Sequence, residues 1–176
     1  HGELNRSVRL LQNIAKNEGL SPMNFAQSVH NTASGLFSII QKLMQNMNAI
    51  AAGKDTFCMG MMDALVWLDL NPRDKVLITV YDDYIPEPYL CYTPLNNHCF
   101  ALSFVLEKQN DINQNKLKNY IYWTIKSQNR NNISSENKQD IPNALMFLSW
   151  YLNQNESYLD QDFSQQKISW HKNHNE

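Results

Sequence analysis

The stretch SPMNFAQSVHNTASGLFSI, Ser21 to Ile39, decides how this chain reads. Phe25, Gln27 and Val29 share one face of an alternating run, which predicts a short strand over Phe25–Val29. A window of small residues follows, Asn31-Thr32-Ala33-Ser34-Gly35. Beyond it Leu36, Ile40, Leu43, Met47 and Ile50 recur at three- and four-residue steps. That spacing predicts one face of a long helix running to about Ala52, capped by Ser34 or Thr32 and stopped by Gly53. A strand that turns sharply into a helix exposes one side chain at the bend, and helix N-terminal amides favour a thiolate or oxyanion there. This bend offers hydroxyls and no thiol, and His30 is the only adjacent base.

Working outward, Leu4, Val8, Leu11 and Ile14 have helical spacing over residues 3–17, and Gly19 stands where a left-handed cap is expected. Downstream, Thr56–Met59 is a short apolar run expected to be a buried strand. Met61–Leu70 is expected to be a compact helix that Asn71-Pro72 ends. The β-branched run Lys75–Tyr81 predicts a central strand. Strand, helix, strand, helix, strand implies βαβ units with right-handed crossovers. Residues 84–98 carry Pro86, Pro88 and Pro94 and read as a loop, followed by a strand within Cys99–Glu107. Residues 109–118 read as a turn, Tyr120–Ile125 as a strand, and 127–140 as a polar, mobile segment. Pro142 suits the first turn of a helix over 142–152 with Leu145, Leu148 and Leu152 inward. Lys167–Trp170 is expected to be an edge strand. No repeat or linker interrupts the chain, so residues 1–176 read as a single domain.

Composition narrows the function classes. Of 176 residues, 43% are hydrophobic and 18% charged, with a net charge of -2. Lysines and arginines are scattered, which leaves no electrostatic footprint for nucleic acid. No apolar run approaches the roughly 20 residues of a membrane span, and no signal-peptide pattern opens the chain. A cytoplasmic location is therefore expected. Cys58, Cys91 and Cys99 lack metal-type spacing; Cys91 and Cys99 could pair, but free thiols are the expectation. No cofactor or metal is expected.

The runs SPMNFAQSVHNTASGLFSI, AAGKDTFCMGMMDAL (Ala51–Leu65) and VLITVYDDYIPEPY (Val76–Tyr89) resemble the β-ketoacyl-synthase-like N-terminal domain family. Within it, they are most similar to chain-length-factor-like subunits of bacterial aryl polyene clusters. The opening HGEL resembles the segment after that family's first strand and helix. The resemblance is strongest over residues 1–90, weaker over 98–125, and loose beyond. It implies an α/β, thiolase-like fold, a mixed sheet packed against helices, with the family's first strand unmatched before His1. It also implies fatty-acid or polyene substrates on an acyl carrier protein, and pairing with a catalytic ketosynthase. Active ketosynthases carry a cysteine just before a small-small-glycine stretch. Laid on this sequence, that position falls at Thr32. They also need two further residues, usually histidines, from a C-terminal half for which this chain is too short.

The resemblance therefore implies a non-catalytic partner subunit, with no catalytic residue and with His30, Asn31, Thr32, Phe57 and Cys58 as candidates for an acyl tunnel or an interface. Blander readings accompany each. Thr32 is a cap or turn hydroxyl, His30 a hydrogen-bonded turn histidine, Cys58 a small buried side chain. Asp82-Asp83 more simply faces water or caps a turn than binds metal. Tyr84, Tyr89 and Tyr92 are candidates for a partner contact. Two other classes stand beside the first: a thiol-dependent acyltransferase or hydrolase using Cys58 with His30, and a small acyl-binding scaffold.

Overall fold

Ser21 followed by Pro22 starts a helix here, not a strand. The computed structural model describes residues 2–87, 89–92, 99–109, 119–127, 141–163 and 166–174. They group into two compact units, His1–Ala51 with Tyr81–Ala101, and Ala52–Val80 with Leu102–Glu176.

The described helices of the first unit are α1 (Leu4–Ala15), α2 (Pro22–Ala26) and α3 (Thr32–Gln41). In α1 the inward residues are Val8 and Leu10, while the expected Leu11 and Ile14 are exposed. Its stop is Asn17 at φ 54°, not Gly19. Asn17 N donates to Ile14 O at 3.0 Å and Glu18 N to Asn13 O at 2.9 Å, the paired bonds of a left-handed cap. The strand expected over Phe25–Val29 does not form: Phe25 and Ala26 close α2, and Gln27, Ser28 and Val29 make the turn that follows. Pro22 pre-sets φ for a first helical turn, and the Ser21 hydroxyl accepts from Asn24 N at 3.4 Å. The long helix also ends early: Lys42 takes a left-handed conformation, φ 53°, and Leu43 N closes onto Ser38 O at 2.9 Å. Residues 43–52 are not helical.

In the second unit, Gly53–Asp55 forms a 3-10 turn that leads into α4 (Thr56–Leu70). The expected strand Thr56–Met59 is thus the first turn of α4. The Thr56 hydroxyl accepts from Ala52 N at 2.9 Å and donates to Gly53 O at 2.8 Å, which anchors that start. Phe57, Cys58, Met61, Ala64 and Leu68 form its buried stripe.

Strand β1 (Lys75–Asp82) pairs with β2 (Phe100–Glu107) in a two-stranded sheet. The ion pair Lys75–Glu107 (2.8 Å) and the hydroxyl pair Thr79–Ser103 (2.9 Å) set their directions opposite. Both strands alternate exposed and half-buried residues, so β1 has one open face and is not a strand covered on both sides. With two of its three expected strands helical, the run of βαβ units does not form. The pairings among the described strands are antiparallel.

A three-stranded sheet of the second unit has the order β3 (Asn119–Ser127), β5 (Gln166–His174), β4 (Tyr158–Phe163). Trp123 and Leu159 both register with Trp170. The segment expected at an edge is therefore central. Its polar residues disguise it, because each buried one is satisfied. Ser169 Oγ donates to Asp160 Oδ1 at 2.6 Å, and Lys172 Nζ donates to the carbonyls of Trp150, Tyr151 and Asn153 at the end of α5 (Asn143–Leu152). A cation there offsets the negative end of the helix dipole.

The buried residues of α5 are Ala144, Phe147 and Trp150, not Leu145, Leu148 and Leu152. This helix is apolar all round, so spacing alone does not select a face; the aromatic partners do. Phe147 has ring centroids 5.2 Å from Phe57, 5.3 Å from Trp170 and 5.5 Å from Trp150. Pro142 is the residue before the first helical position. The stretches 110–118 and 128–140, expected to be a turn and a polar mobile segment, lie outside the described residues.

Because Phe147 fills the centre of this cluster, Phe147→Ala is expected to lower unfolding free energy by about 3–5 kcal/mol. Leu152→Ala, at an exposed position, should stay within about 0.5 kcal/mol. Urea unfolding of the two variants checks the assignment, and the reverse order would contradict it.

Candidate functional site

At the mouth of α3 the chain turns between Val29 and Thr32, with Thr32 N donating to Val29 O at 3.1 Å. Gly35 N then reaches Asn31 O at 2.9 Å and commits the backbone to helix. Asn31 is the N-cap, with no capping bond from its side chain. Ser34 Oγ donates to Asn31 O at 2.9 Å, so neither Ser34 nor Thr32 caps as expected. Thr32 is buried, 8% exposed, and its hydroxyl donates to Ala26 O at 3.4 Å. That proton is directed at a backbone carbonyl, not at a base. His30 and Asn31 are exposed. An alcohol bonded only to a carbonyl gains no nucleophilicity.

The apolar residues of α3 turn outward. Ile39 is 73% exposed, Ile40 72%, and Leu36 and Phe37 are exposed too. Leu43, Met44 and Met47 continue this surface past the helix, with Met44 at 97%. Monomeric proteins rarely expose apolar patches beyond a few hundred Å².

Phe57 and Cys58 belong to the second unit, where both are packed into the core. Cys58 is 0% exposed, and its Sγ lies 3.9 Å from Gln161 Oε1. Burial, reinforced by the Asp55 carboxylate, pushes the thiol up to about 12. A thiolate is the reactive species, so this sulfur is inert at neutral pH. That argues against a thiol enzyme built on Cys58. Cys91 and Cys99 are exposed and form no disulfide among the described residues. Asp83 serves the turn: its carboxylate accepts from Tyr84 N at 2.8 Å and from Asn5 Nδ2 at 3.4 Å. Among the described residues no group of three or more His, Cys, Asp or Glu side chains could hold a metal ion. Tyr84 and Tyr89 are exposed, and the side chain of Tyr92 lies outside the described set. Gln161, which no sequence signal marked, is the buried partner of Cys58.

The family of the β-ketoacyl synthase N-terminal domain matches residues 1–171. The chain belongs to that family. Its fold is the thiolase-like one of β-ketoacyl synthases. A chain in the structure of a ketosynthase in complex with its chain length factor, from Xenorhabdus doucetiae, aligns with a TM-score of 0.78 at 29% identity. The alignment covers 97% of this chain and 66% of that one, so this chain spans just under two thirds of its structural relative. No curated protein matches the chain. Among the described residues no helix is long and apolar enough to cross a membrane.

A thiol held near 12 is ionised to roughly one part in 10,000 at pH 8. Under native conditions a thiol reagent should therefore modify Cys91 and Cys99 and spare Cys58, as mass spectrometry of peptides would show. Because the fold favours the neutral thiol, its contribution is intact below the ordinary value of 9.0 and is lost as pH climbs toward about 12. Between those limits wild type should lose more stability than Cys58→Ala in thermal unfolding.

Proposed function

We propose that this chain is a non-catalytic, ketosynthase-like partner subunit of the chain-length-factor type. It would associate with a catalytic ketosynthase in the cytoplasm and act in acyl-carrier-dependent fatty acid or polyene synthesis. The observation that carries this reading is the mouth of α3. Where the resemblance to active ketosynthases calls for a cysteine, Thr32 stands, buried and bonded to Ala26 O. The family match and the structural likeness to a ketosynthase–chain length factor complex support it. The exposed apolar residues of α3 support the association, since such a surface is stable in water only when something covers it. His30 and Asn31, exposed beside Thr32, would lie at the edge of that contact or of the acyl tunnel. Phe57 and Cys58 would act only as packing within the second unit.

Co-expression with a tagged ketosynthase from the same gene neighbourhood tests the assignment. The expected result is stable co-purification, and a chain that never associates with one overturns it. The double variant Ile39→Asp, Ile40→Asp should weaken the association by about tenfold or more. Thr32→Ala should leave condensation by the reconstituted pair within about twofold. A loss of a hundredfold or more with the complex intact would instead make Thr32 part of the chemistry.

A further inference from the structure

One side of α1 lines a shallow polar cleft of about 340 Å³ in the first unit. Arg6, Arg9 and Asn13 lie along it at helical steps of three and four, buried Leu10 forms part of the floor, and Asn24 of α2 and Asp83 after β1 contribute the remaining walls. The acidic groups of the cleft are held within it, Glu3 by an ion pair and Asp83 by hydrogen bonds from neutral donors. Glu3 pairs with Arg6 at 3.3 Å, and Asp83 accepts from Asn5 and from Tyr84 N. Arg6 is further fixed by donating to Gln27 O at 2.7 Å, and Asn5 by donating to Tyr84 O at 2.5 Å. Asn13, in its satisfied orientation, donates to Glu18 Oε2 and Arg9 O at 3.2 Å each, which stiffens the wall beside Arg9. Arg9 differs from all of these. Among the described residues no carboxylate lies within ion-pair distance of its guanidinium. A set of ordered polar groups thus surrounds a guanidinium that has no ion-pair partner of its own among the described residues, with the Asp83 carboxylate on a separate wall.

We propose that this cleft binds a small phosphate monoester, with Arg9 as the principal ligand and the Asn24 amide as a second donor. A planar carboxylate suits the fork of a single guanidinium. A tetrahedral phosphate can also receive bonds from a second direction, here α2 facing α1. The fixed carboxylates of Glu3 and Asp83 disfavour a second anionic group and suit hydroxyls on the ester's organic part. The inference is independent of any ketosynthase partner, since the cleft lies within the first unit.

Calorimetric titration of the full chain with glycerol 3-phosphate, inorganic phosphate and acetate tests it. Glycerol 3-phosphate should bind saturably with a dissociation constant of about 1 mM or tighter, more tightly than inorganic phosphate, and acetate should not bind. Arg9→Ala should weaken binding about tenfold or more, and Arg9→Lys, which keeps the charge without the fork, by less. Asn24→Ala should weaken it severalfold, while Arg73→Ala, outside the cleft, leaves it unchanged. Arg9 is exposed, so its variants should keep the wild-type melting temperature. The absence of saturable glycerol 3-phosphate binding, equal binding of acetate, or full affinity in Arg9→Ala would each overturn the proposal.

Discussion

The buried amide of Gln161 is the constraint on which the second unit depends. Its Nε2 donates to Asn143 O at 2.8 Å, where α5 begins, and its Oε1 accepts from Trp170 Nε1 at 2.9 Å on β5. The Cys58 thiol of α4 approaches the same oxygen at 3.9 Å. One side chain on β4 thereby joins two helices and the central strand in the midst of aromatic rings. An unsatisfied amide in such a place would cost about 1–3 kcal/mol, so the arrangement is tolerable only because its polar atoms are all engaged. The same constraint accounts for Cys58. Its neighbour is an amide and its surroundings are apolar, so the fold keeps it a protonated packing residue.

Lys172 solves a related problem on the next inward-facing position of β5. A lysine inside a core is costly unless its charge is met. Here three carbonyls at the end of α5 meet it, and the face of Trp150 lies 4.9 Å from the ammonium. Trp150 is the counter-example. Its indole nitrogen is buried without a hydrogen-bond partner among the described residues, and the ring is retained for what its surface contributes against Phe147 and the Lys172 cation.

These two polar residues also show which parts of the fold could be read from sequence. The β-branched run of β1 and FALSFVLE of β2 announced themselves, because alternation and branching speak directly to strand geometry. QKISWHKNH did not read as a central strand, because its inward lysine and buried serine look like surface until their partners are known. Thr56–Met59 was indistinguishable from a strand, since four apolar residues satisfy either period. Two misreadings had signals in plain view. Ser21-Pro22 is a helix start, and Asn17 is the residue after glycine most apt to take a left-handed cap. The left-handed turn at Lys42 had none, for nothing about a lysine favours φ near 53°. At the candidate site, the missing thiol was legible because absence of a residue type needs no geometry. The bond from Thr32 to Ala26 O depends on α2 being helical, and the cleft around Arg9 needs residues from three separate segments, so neither could be read from spacing.

Both units leave large apolar side chains exposed, but on α3 they lie together beside the candidate site. In the second unit the aromatics close on one another. In the first, α3 and the segment after it spend isoleucines, leucines and methionines on the surface. A chain that is only 18% charged, with a net charge of -2, has little electrostatic repulsion to offset such a patch. An isolated molecule of this kind should self-associate unless the patch is covered. The bend at Thr32 adjoins that surface, and its hydroxyl is turned to the backbone carbonyl of Ala26. On the function proposed above, a helix mouth without a thiol and an apolar surface along the helix are compatible demands on the same ten residues. A helix that had no nucleophile to present would be open to selection for contact alone.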